Sequence, residues 1–248
     1  MKVSIVTATY NSAEYIEDTY SSIAAQTFSD WEWIITDDAS SDNTCEIIRR
    51  FSSHDSRVKL LVQSSNQGAA RARNASLQAA SGDFIAFIDS DDLWDPFKLE
   101  KQLAFMASNI DFCFTSYALV SANGRRLGKF VDTDAAASLG YHDLLKKVAT
   151  VGCSTVMLRR NAFPRILMPD LRTGQDYALW LHLLRSTTSR AYLLNETLSS
   201  YRIRPGSISR NKFKKALRQW EIYRDLESLS FFYAFYCFVH YAIKAVLR

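Results

Sequence analysis

The residues with the clearest chemical signal in this 248-residue chain are Asp89, Ser90, Asp91 and Asp92. Three carboxylates within four residues repel one another, and a hard divalent cation would compensate that repulsion. Mg²⁺ and Mn²⁺ prefer oxygen ligands and often bridge one or two carboxylates to substrate phosphates. The cluster directly follows the apolar run 84–88, which is typical of a strand. A solvated acidic turn that caps the next helix is the structural alternative.

Two further polar clusters could contact a nucleotide. Asp37 and Asp38 end an apolar run, and a carboxylate there could accept a hydrogen bond from a nucleobase imide or a ribose hydroxyl. The alternative is a helix cap, supplied by the polar residues 40–42. Gly68 precedes a helix that carries Arg71 and Arg73, and arginine suits phosphate pairing or base stacking. An ordinary surface arginine is the alternative, and it is favoured for Arg71.

Asp176 stands at the start of a predicted helix over 176–184, after Gly174 and Gln175. An aspartate in this position is more often a helix cap than a catalyst. It becomes a candidate general base if the reaction is a sugar transfer, because the acceptor hydroxyl must then lose a proton.

Alternating strands and helices are predicted to position these side chains in the first half of the chain. The strands predicted are Val3 to Thr7, Trp33 to Thr36, Val58 to Val62 and Phe84 to Ile88. This alternation favours a parallel sheet with helices on both faces. Ligands of such sheets bind beyond the carboxyl ends of the strands, so the polar residues 9–11, 37–38 and 89–92 should converge in one crevice.

The second half is less regular. We predict a strand over 112–120 with a turn at Asn123 and Gly124, a loop and short helix over 132–150, a strand over 154–158 and an extended segment over 193–202. For the first half, Asn11 and Ser12 are predicted to cap the first helix.

The C-terminal segment joins a basic stretch to an apolar one. Residues 202–224 hold eight Lys or Arg and one acid, and residues 228–243 hold no formal charge and many aromatics. The uncharged run is shorter than the ~20 residues of a spanning helix. Two interpretations remain open: an amphipathic segment at an anionic membrane surface, or a helix packed on its own domain or on a second subunit.

Composition narrows the class of protein. Hydrophobic residues make up 48% and charged residues 23%, as in a globular domain with a substantial core. A net charge of +4 argues against a chain-wide nucleic-acid surface. The four cysteines form no CxxC pair, which argues against zinc and disulfides and for buried thiols in a reducing compartment. The N-terminus lacks a signal-peptide pattern, so the catalytic part is expected in the cytoplasm.

Taken in order, these motifs resemble the family 2 glycosyltransferases, which have the GT-A fold. The matching segments span roughly residues 1–210 and are 3–11, 26–28, 37–42, 66–68 with 72–74, 80–83 leading to 89–92, 175–177, and 201–202 through Ser207 and Ser209. The resemblance implies an α/β fold with a mostly parallel, Rossmann-like central sheet flanked by helices and a C-terminal helical extension. It divides the chain into a GT-A domain over 1–205, with a nucleotide-binding half (1–110) and an acceptor half (111–205), and a tail over 206–248.

The resemblance also implies an activity. The chain would move a sugar from a nucleotide diphosphate donor, with UDP the expected nucleotide, to an acceptor hydroxyl with inversion. The acceptor would be a glycan or a lipid-linked glycan of cell-surface polysaccharide synthesis, reached at the inner face of the membrane.

The same resemblance assigns roles to residues of this sequence. Asp176 would be the catalytic base, and Asp91 and Asp92 would bind the Mg²⁺ or Mn²⁺ ion. The nucleotide contacts implied are Thr9, Tyr10, Asn11, Asp38, Gly68, Arg73, Asp89, Ser90 and Arg204.

Two departures from the family pattern affect this assignment. Gln175 stands where the family often has Glu before the catalytic Asp, which changes the local charge. Arg204 stands where the family often has a His that helps to hold the metal or the diphosphate. A guanidinium cannot ligate a metal, so we hypothesise that Arg204 pairs directly with the diphosphate.

Two rival interpretations remain. A nucleotidyltransferase would share the sheet and the metal, but it should carry a Gly-rich basic loop after the first strand, where this chain has Thr9, Tyr10, Asn11 and Ser12. The non-enzymatic interpretation is a catalytically inactive, membrane-associated protein of the same fold that binds nucleotides or acts as a scaffold.

Overall fold

A computed structural model of the protein describes residues 1–204 and 212–247. Ser207 and Ser209, the last residues of the family pattern, lie outside the described residues. The strands are β1 (Val3–Thr9), β2 (Trp31–Asp37), β3 (Val58–Val62), β4 (Phe84–Phe87), β5 (Leu93–Trp94), β6 (Phe112–Val120), β7 (Arg126–Val131), β8 (Ser138–Leu139), β9 (Met157–Arg159) and β10 (Ala191–Arg202). The α-helices are α1 (Ile16–Ala24), α2 (Thr44–His54), α3 (Ala69–Ala79), α4 (Lys98–Met106), α5 (Tyr141–Leu145), α6 (Gln175–Ser186), α7 (Lys212–Glu221) and α8 (Phe231–Leu247).

One sheet runs through both predicted halves of the domain, in the order β3-β2-β1-β4-β9-β6-β10-β5. The first four strands are parallel, and all seven residues of β2 are buried because helices cover both faces of this part. The predicted fold class, an α/β sheet flanked by helices with a C-terminal helix, is confirmed. The domain boundaries at residues 110 and 205 stay predictions.

The second half adds antiparallel pairing to this sheet. Strand β9 lies between β4 and β6 and runs antiparallel to both, while β6 and β10 are parallel to each other. The strand predicted over 154–158 is present as β9, but its predicted start is wrong because β9 begins only at Met157. Residues Cys153–Thr155 form a 3₁₀ turn instead, since the Ser154 hydroxyl donates to Asp92 and the Ser154 carbonyl accepts from the Trp94 indole.

Apolar side chains pack on both faces of the sheet. On one face, Trp180 of α6 meets Phe87 and Phe112 edge to face, with ring centroids 5.2 and 5.3 Å apart. On the other face, Trp33 stacks with Tyr20 of α1 at 6.0 Å. Aromatic pairs of this kind contribute beyond simple area burial, so they fix the positions of α1 and α6 against the sheet.

The C-terminal segment forms two helices joined by a π-helical turn, Ile222–Leu226. Trp220 of α7 packs against Phe231 and Phe238 of α8, with centroids 5.8 and 5.7 Å apart. The hydroxyl of Tyr223 donates to the Leu145 carbonyl and ties the turn to the domain. Among the described helices, none combines the length and the apolar character needed to cross a membrane.

Glu32 fastens the sheet at the edge opposite the predicted crevice. Its buried carboxylate accepts hydrogen bonds from Lys59 Nζ at 2.8 Å, Ser4 Oγ at 2.7 Å and the Ser81 backbone N–H at 2.8 Å. Burial opposes ionisation, but the hydrogen bonds from Lys59, Ser4 and Ser81 outweigh it and hold the pKa of Glu32 well below its usual range. One carboxylate therefore joins β1, β2, β3 and the approach to β4.

We expect Glu32→Gln to lower the free energy of unfolding by about 2 kcal/mol at pH 7, because buried donors lose their charged acceptor. The matched control is Glu17→Gln, whose pair with Arg50 is exposed and should contribute less than about 1 kcal/mol. Because the pKa of Glu32 is depressed in the folded protein, Glu32 contributes fully to the free energy of unfolding above the unfolded pKa of ~4.3, and this contribution is lost progressively as pH falls below it. Urea unfolding at pH 7 and pH 3 measures the effect of each substitution and its dependence on pH. Equal losses of unfolding free energy in Glu32→Gln and Glu17→Gln at pH 7 would contradict the structural role of Glu32.

Candidate active site

Three strand ends meet at the carboxyl edge of the parallel sheet, as predicted. Thr9 pairs with Asp37 in the register of β1 and β2, and Val6 pairs with Phe87 in the register of β1 and β4. The Asp38 N–H donates to the Thr9 carbonyl at 2.9 Å and holds the first two ends together. The polar residues that follow these strands therefore open into one crevice.

Asn11 connects the first two loops of this crevice. Its backbone is left-handed, with φ 48°, a conformation that asparagine tolerates better than most residues. The Asn11 side-chain oxygen accepts from the Ser41 N–H at 2.9 Å, and its own N–H donates to Ser40 Oγ at 2.8 Å. The prediction that Asn11 or Ser12 caps α1 is wrong: the cap position is Tyr15, because these bonds hold Asn11 across the crevice.

Asp38 positions the start of α3. Its two carboxylate oxygens accept from the N–H groups of Gln67 and Gly68, at 2.7 and 2.8 Å. Gly68 has φ +94° and open space where a side chain would stand, so glycine is required by the backbone conformation and not by crowding. Both oxygens of Asp38 therefore hold the loop before α3 in place, in addition to any contact that Asp38 makes with a nucleotide.

Two buried polar atoms in this region are unpaired. Within the part of the chain that the structure describes, neither Thr9 Oγ1 nor Arg73 Nε has a hydrogen-bond partner. Unpaired buried polar atoms are rare and costly, and they often mark a site that a ligand completes. Tyr10, the next residue along, is about half exposed and could cover a planar group at the crevice mouth.

Asp89 and Arg73 form the central ion pair of the crevice. Arg73 Nη2 lies 2.5 Å from Asp89 Oδ1, and the arginine is almost fully buried. The Asp89 N–H donates to Ser154 Oγ at 3.0 Å, while the neighbouring Ser90 hydroxyl lies 2.8 Å from that of Ser12. The acidic cluster is therefore held on both sides by hydroxyl groups.

Asp91 is the acidic residue whose carboxylate faces a second arginine. Arg204 Nε lies 2.6 Å from Asp91 Oδ2, and the guanidinium also sits over the ring of Tyr15 at 5.3 Å. Burial, followed by the charge of Asp89, raises the pKa of Asp91, and Arg204 partly offsets this effect. Arg204 is thus ion-paired with the carboxylate that the family resemblance assigns to a metal.

Asp92 has a different environment from its neighbours. It is buried, and its two oxygens accept from Ser154 Oγ at 2.6 Å and from the Arg202 N–H at 3.0 Å. Burial raises the pKa of Asp92, as do the charges of Asp91 and Asp89. With both oxygens bonded inside the protein, Asp92 holds the site together. The metal role assigned to it would require these internal bonds to break, whereas at Asp91 only the ion pair with Arg204 has to open.

Asp176 begins the first turn of α6, which starts after the left-handed Gly174. Its carboxylate lies within electrostatic range of Arg73, Asp89 and Lys215. Burial raises the pKa of Asp176, while the Tyr177 N–H and Arg73 partly offset the increase. The structure therefore brings the predicted base from the acceptor half to the same crevice as Asp89.

Three residues of the site were not predicted as such. Ser154 links Asp89 to Asp92, Arg202 donates to the Asp91 carbonyl at 2.8 Å and to Asp18 at 2.9 Å, and Lys215 brings a cation from α7 towards Asp176. Arg202 stood in the family pattern without a role. Neither Ser154 nor Lys215 carries a local signal in the sequence, because their partners are distant in the chain.

No group of three or more His, Cys, Asp or Glu side chains arranged to hold a metal occurs among the described residues. The predicted absence of disulfides among the four cysteines is consistent with the structure, in which the thiols are free and buried or half-buried.

The sheet, the strand-end crevice and the order of the acidic residues define a GT-A glycosyltransferase. The chain belongs to glycosyl transferase family 2, whose sequence model matches residues 4–167. It is 45% identical over 247 residues to TuaG of Bacillus subtilis, a glycosyltransferase assigned to teichuronic acid biosynthesis, covering 99% of this chain and 96% of that protein. It is also 42% identical over 224 residues to WfgD of Escherichia coli, named as a UDP-Glc:α-D-GlcNAc-diphosphoundecaprenol β-1,3-glucosyltransferase, covering 90% of this chain and 85% of WfgD.

Solved structures show the same fold. TarS residues 1–349 of S. aureus in complex with UDP-GlcNAc superpose with a TM-score of 0.73 at 24% identity, covering 90% of this chain and 65% of that one. The mannosyltransferase PcManGT of Pyrobaculum calidifontis, in complex with GDP-Man and Mn²⁺, superposes with a TM-score of 0.65 at 18% identity, covering 90% of this chain and 61% of that one.

We expect Asp92→Ala to lower the free energy of unfolding by about 2–3 kcal/mol, because it leaves the buried Ser154 hydroxyl and Arg202 N–H unpaired. Asp91→Ala, one residue earlier, should cost less than about 1 kcal/mol, since its partner Arg204 can turn to water. Urea unfolding followed by circular dichroism compares the two variants. Equal losses would show that Asp92 is no more structural than Asp91.

Proposed function

We propose that the protein transfers a sugar from a nucleoside diphosphate donor, with UDP as the nucleotide, to an acceptor hydroxyl with inversion of the anomeric carbon. The observation that carries this proposal is the convergence of Asp89 and Arg73 from the nucleotide half with Asp176 from the acceptor half. The unpaired Thr9 Oγ1 and Arg73 Nε, together with the half-exposed Tyr10, supply the polar and planar contacts of a nucleotide cradle. The complexes of TarS with UDP-GlcNAc support uridine as the base.

A divalent metal fits the residues present. Asp91 and Asp89 offer partly accessible carboxylates on one loop, with side chains 14% and 30% exposed. Mg²⁺ and Mn²⁺ commonly bind through one or two carboxylates and complete their shell with substrate phosphates and water, so a cluster of three protein ligands is not required. When bound, such an ion would stabilise the negative charge of the departing diphosphate. The complex of PcManGT with GDP-Man and Mn²⁺ supports this assignment.

Asp176 has the environment of a general base. In the proposed reaction its carboxylate takes the proton of the acceptor hydroxyl as that oxygen attacks the anomeric carbon, and the bond to the nucleoside diphosphate breaks on the opposite side. This single displacement accounts for inversion. Burial raises the pKa of Asp176, so its carboxylate is a stronger base than that of an exposed aspartate, and the charge of Arg73 only partly offsets this rise.

The acceptor we propose is a lipid-linked glycan of surface-polysaccharide synthesis, met at the inner face of the membrane. WfgD supports this proposal because it is named as a transferase to a diphosphoundecaprenol-linked acceptor, and because its match covers most of both chains. The inactive-scaffold interpretation is the second candidate, and it predicts nucleotide binding without turnover.

We expect Asp176→Asn to lower the turnover number by about 10²–10⁴-fold while UDP affinity stays within about twofold, because only the proton transfer is lost. The control is Asp170→Asn, an exposed acid on the preceding loop that pairs with Arg71. Release of UDP from a UDP-sugar in the presence of a synthetic lipid-diphosphate-sugar acceptor measures turnover. Because the base must be deprotonated and its pKa is raised, turnover should fall as pH falls, with a midpoint above the ~3.9 of a free aspartate. Equal turnover in the two variants would remove Asp176 from the mechanism.

Arg204 is proposed to exchange partners when the donor binds. It now holds Asp91, the carboxylate that the metal needs, and its guanidinium can pair with a diphosphate oxygen at the same place. This exchange would allow an arginine to take the place of the histidine of the family pattern. The guanidinium of Arg204 would offset the negative charge of the acidic cluster before the donor binds, and the negative charge of the diphosphate afterwards.

Arg204→Ala should therefore weaken UDP binding by about tenfold, the usual effect of losing one charge-assisted hydrogen bond. In the same variant, Mn²⁺ binding without nucleotide should become tighter, because the competing cation at Asp91 is gone. Arg126→Ala on the exposed β7 is the control of equal charge change. Calorimetry reports UDP and electron paramagnetic resonance reports free Mn²⁺; unchanged UDP affinity would refute the partner exchange.

A further inference from the structure

The outer face of α8 carries a continuous apolar stripe that no described part of the chain covers. The stripe consists of Phe232, Phe235, Tyr236, Val239 and Ile243, which are 85%, 55%, 49%, 39% and 51% exposed. Their spacing of three and four residues places them along one side of the helix. Contiguous exposed apolar patches are uncommon on monomeric proteins and mark interaction surfaces.

The opposite face of α8 fixes the orientation of the stripe. Ala234 and Cys237 are fully buried in the core cluster that also contains Trp180, and His142 Nδ1 lies 2.7 Å from the Tyr233 hydroxyl. The helix is therefore docked on its own domain through one face. Of the two interpretations of the tail, packing on its own domain is therefore correct for the inner face of α8. The aromatic stripe on the outer face remains available for a membrane surface or a second subunit.

Basic residues flank the stripe. The sequence of α8 contains Lys244 and no acid, and Lys147 Nζ lies 4.8 Å from the ring centre of Tyr241 on the same helix. On the neighbouring α7, Leu217 is exposed as well, and it stands one turn before Trp220, which packs on α8. An apolar stripe bordered by cations matches the headgroup region of an anionic bilayer.

We propose that the α8 stripe docks on the surface of an anionic membrane, with the helix lying in the plane of the bilayer. The stripe is about 16 Å long at 1.5 Å per residue, which suits an in-plane helix and not a spanning one. A second copy of the chain fits less well, since pairing two stripes would bring their basic borders together. Five half-exposed side chains also offer on the order of 500 Å², below the ~800 Å² per partner of a stable dimer.

The position of α8 relates this surface to the candidate base. Cys237 on the inner face of the helix belongs to the core cluster against which Tyr177, the residue after Asp176, packs. Membrane docking would thus hold the acceptor half beside the bilayer, within reach of an acceptor whose lipid stays in the membrane. The docking surface deepens the proposed function, but its physical basis does not depend on catalysis.

The test is flotation of the full chain with liposomes of phosphatidylcholine alone and of phosphatidylcholine with 30% phosphatidylglycerol. The wild type should float with the anionic liposomes, less at 1 M NaCl, and poorly with the neutral ones. Phe232→Ser with Phe235→Ser and Val239→Ser should reduce the partition coefficient by about 100-fold, because three apolar side chains are lost from the contact. The matched control, Leu127→Ser with Phe130→Ser, removes exposed apolar side chains from β7 and should float like the wild type.

The other outcomes overturn the proposal. A wild type that does not float, or a stripe variant that floats equally, shows that α8 is not a membrane surface. A wild-type dimer that becomes monomeric in the stripe variant, without flotation of either, shows that a second copy covers the stripe. UDP binding in solution, measured for the same proteins, tests the proposed function separately from membrane docking. The stripe variant should bind UDP like the wild type. If the wild type does not bind UDP, that result would count against the transferase function and not against membrane docking.

Discussion

The buried carboxylate of Asp92 is the interaction on which the site depends. Its two oxygens bond to Ser154 and to the backbone of Arg202, which lie 62 and 110 residues further along the chain. These bonds fix the loop after β4 against the turn before β9 and the end of β10. Asp92 thereby connects residues 1–110 to residues 111–205. An ionisable group is costly to bury, and at this meeting point of three segments the hydrogen bonds that Asp92 accepts offset part of that cost.

Three similar residues in one short loop consequently have three different environments. Asp89 pairs with the buried Arg73, Asp91 with the half-exposed Arg204, and Asp92 with neutral donors inside the protein. The charges around the crevice are balanced by arginines that a substrate can compete for. This arrangement would suit the proposed binding of a diphosphate together with a cation, followed by release of the diphosphate.

The parts of the fold that could be predicted from the sequence are those set by local pattern. The strands of the parallel half are short apolar runs bounded by polar residues, and their order forced Thr9, Asp38 and Asp89 to one edge. The predicted start of β9 at Ser154 is wrong because Ser154 bonds to Asp92 and Trp94, partners that are more than fifty residues away in the chain. The pairing of Arg204 with Asp91, and the side of α8 that faces outward, likewise depend on tertiary contacts that no window of sequence contains.

We propose that the strand-end crevice binds a nucleoside diphosphate together with a divalent metal. The decisive measurement is calorimetric titration of UDP into the wild type and Asp91→Ala, with and without Mn²⁺. We expect Mn²⁺ to strengthen UDP binding to the wild type, and we expect this gain to be lost in Asp91→Ala. If the wild type binds neither UDP nor any other nucleoside diphosphate under either condition, the crevice is not a donor site.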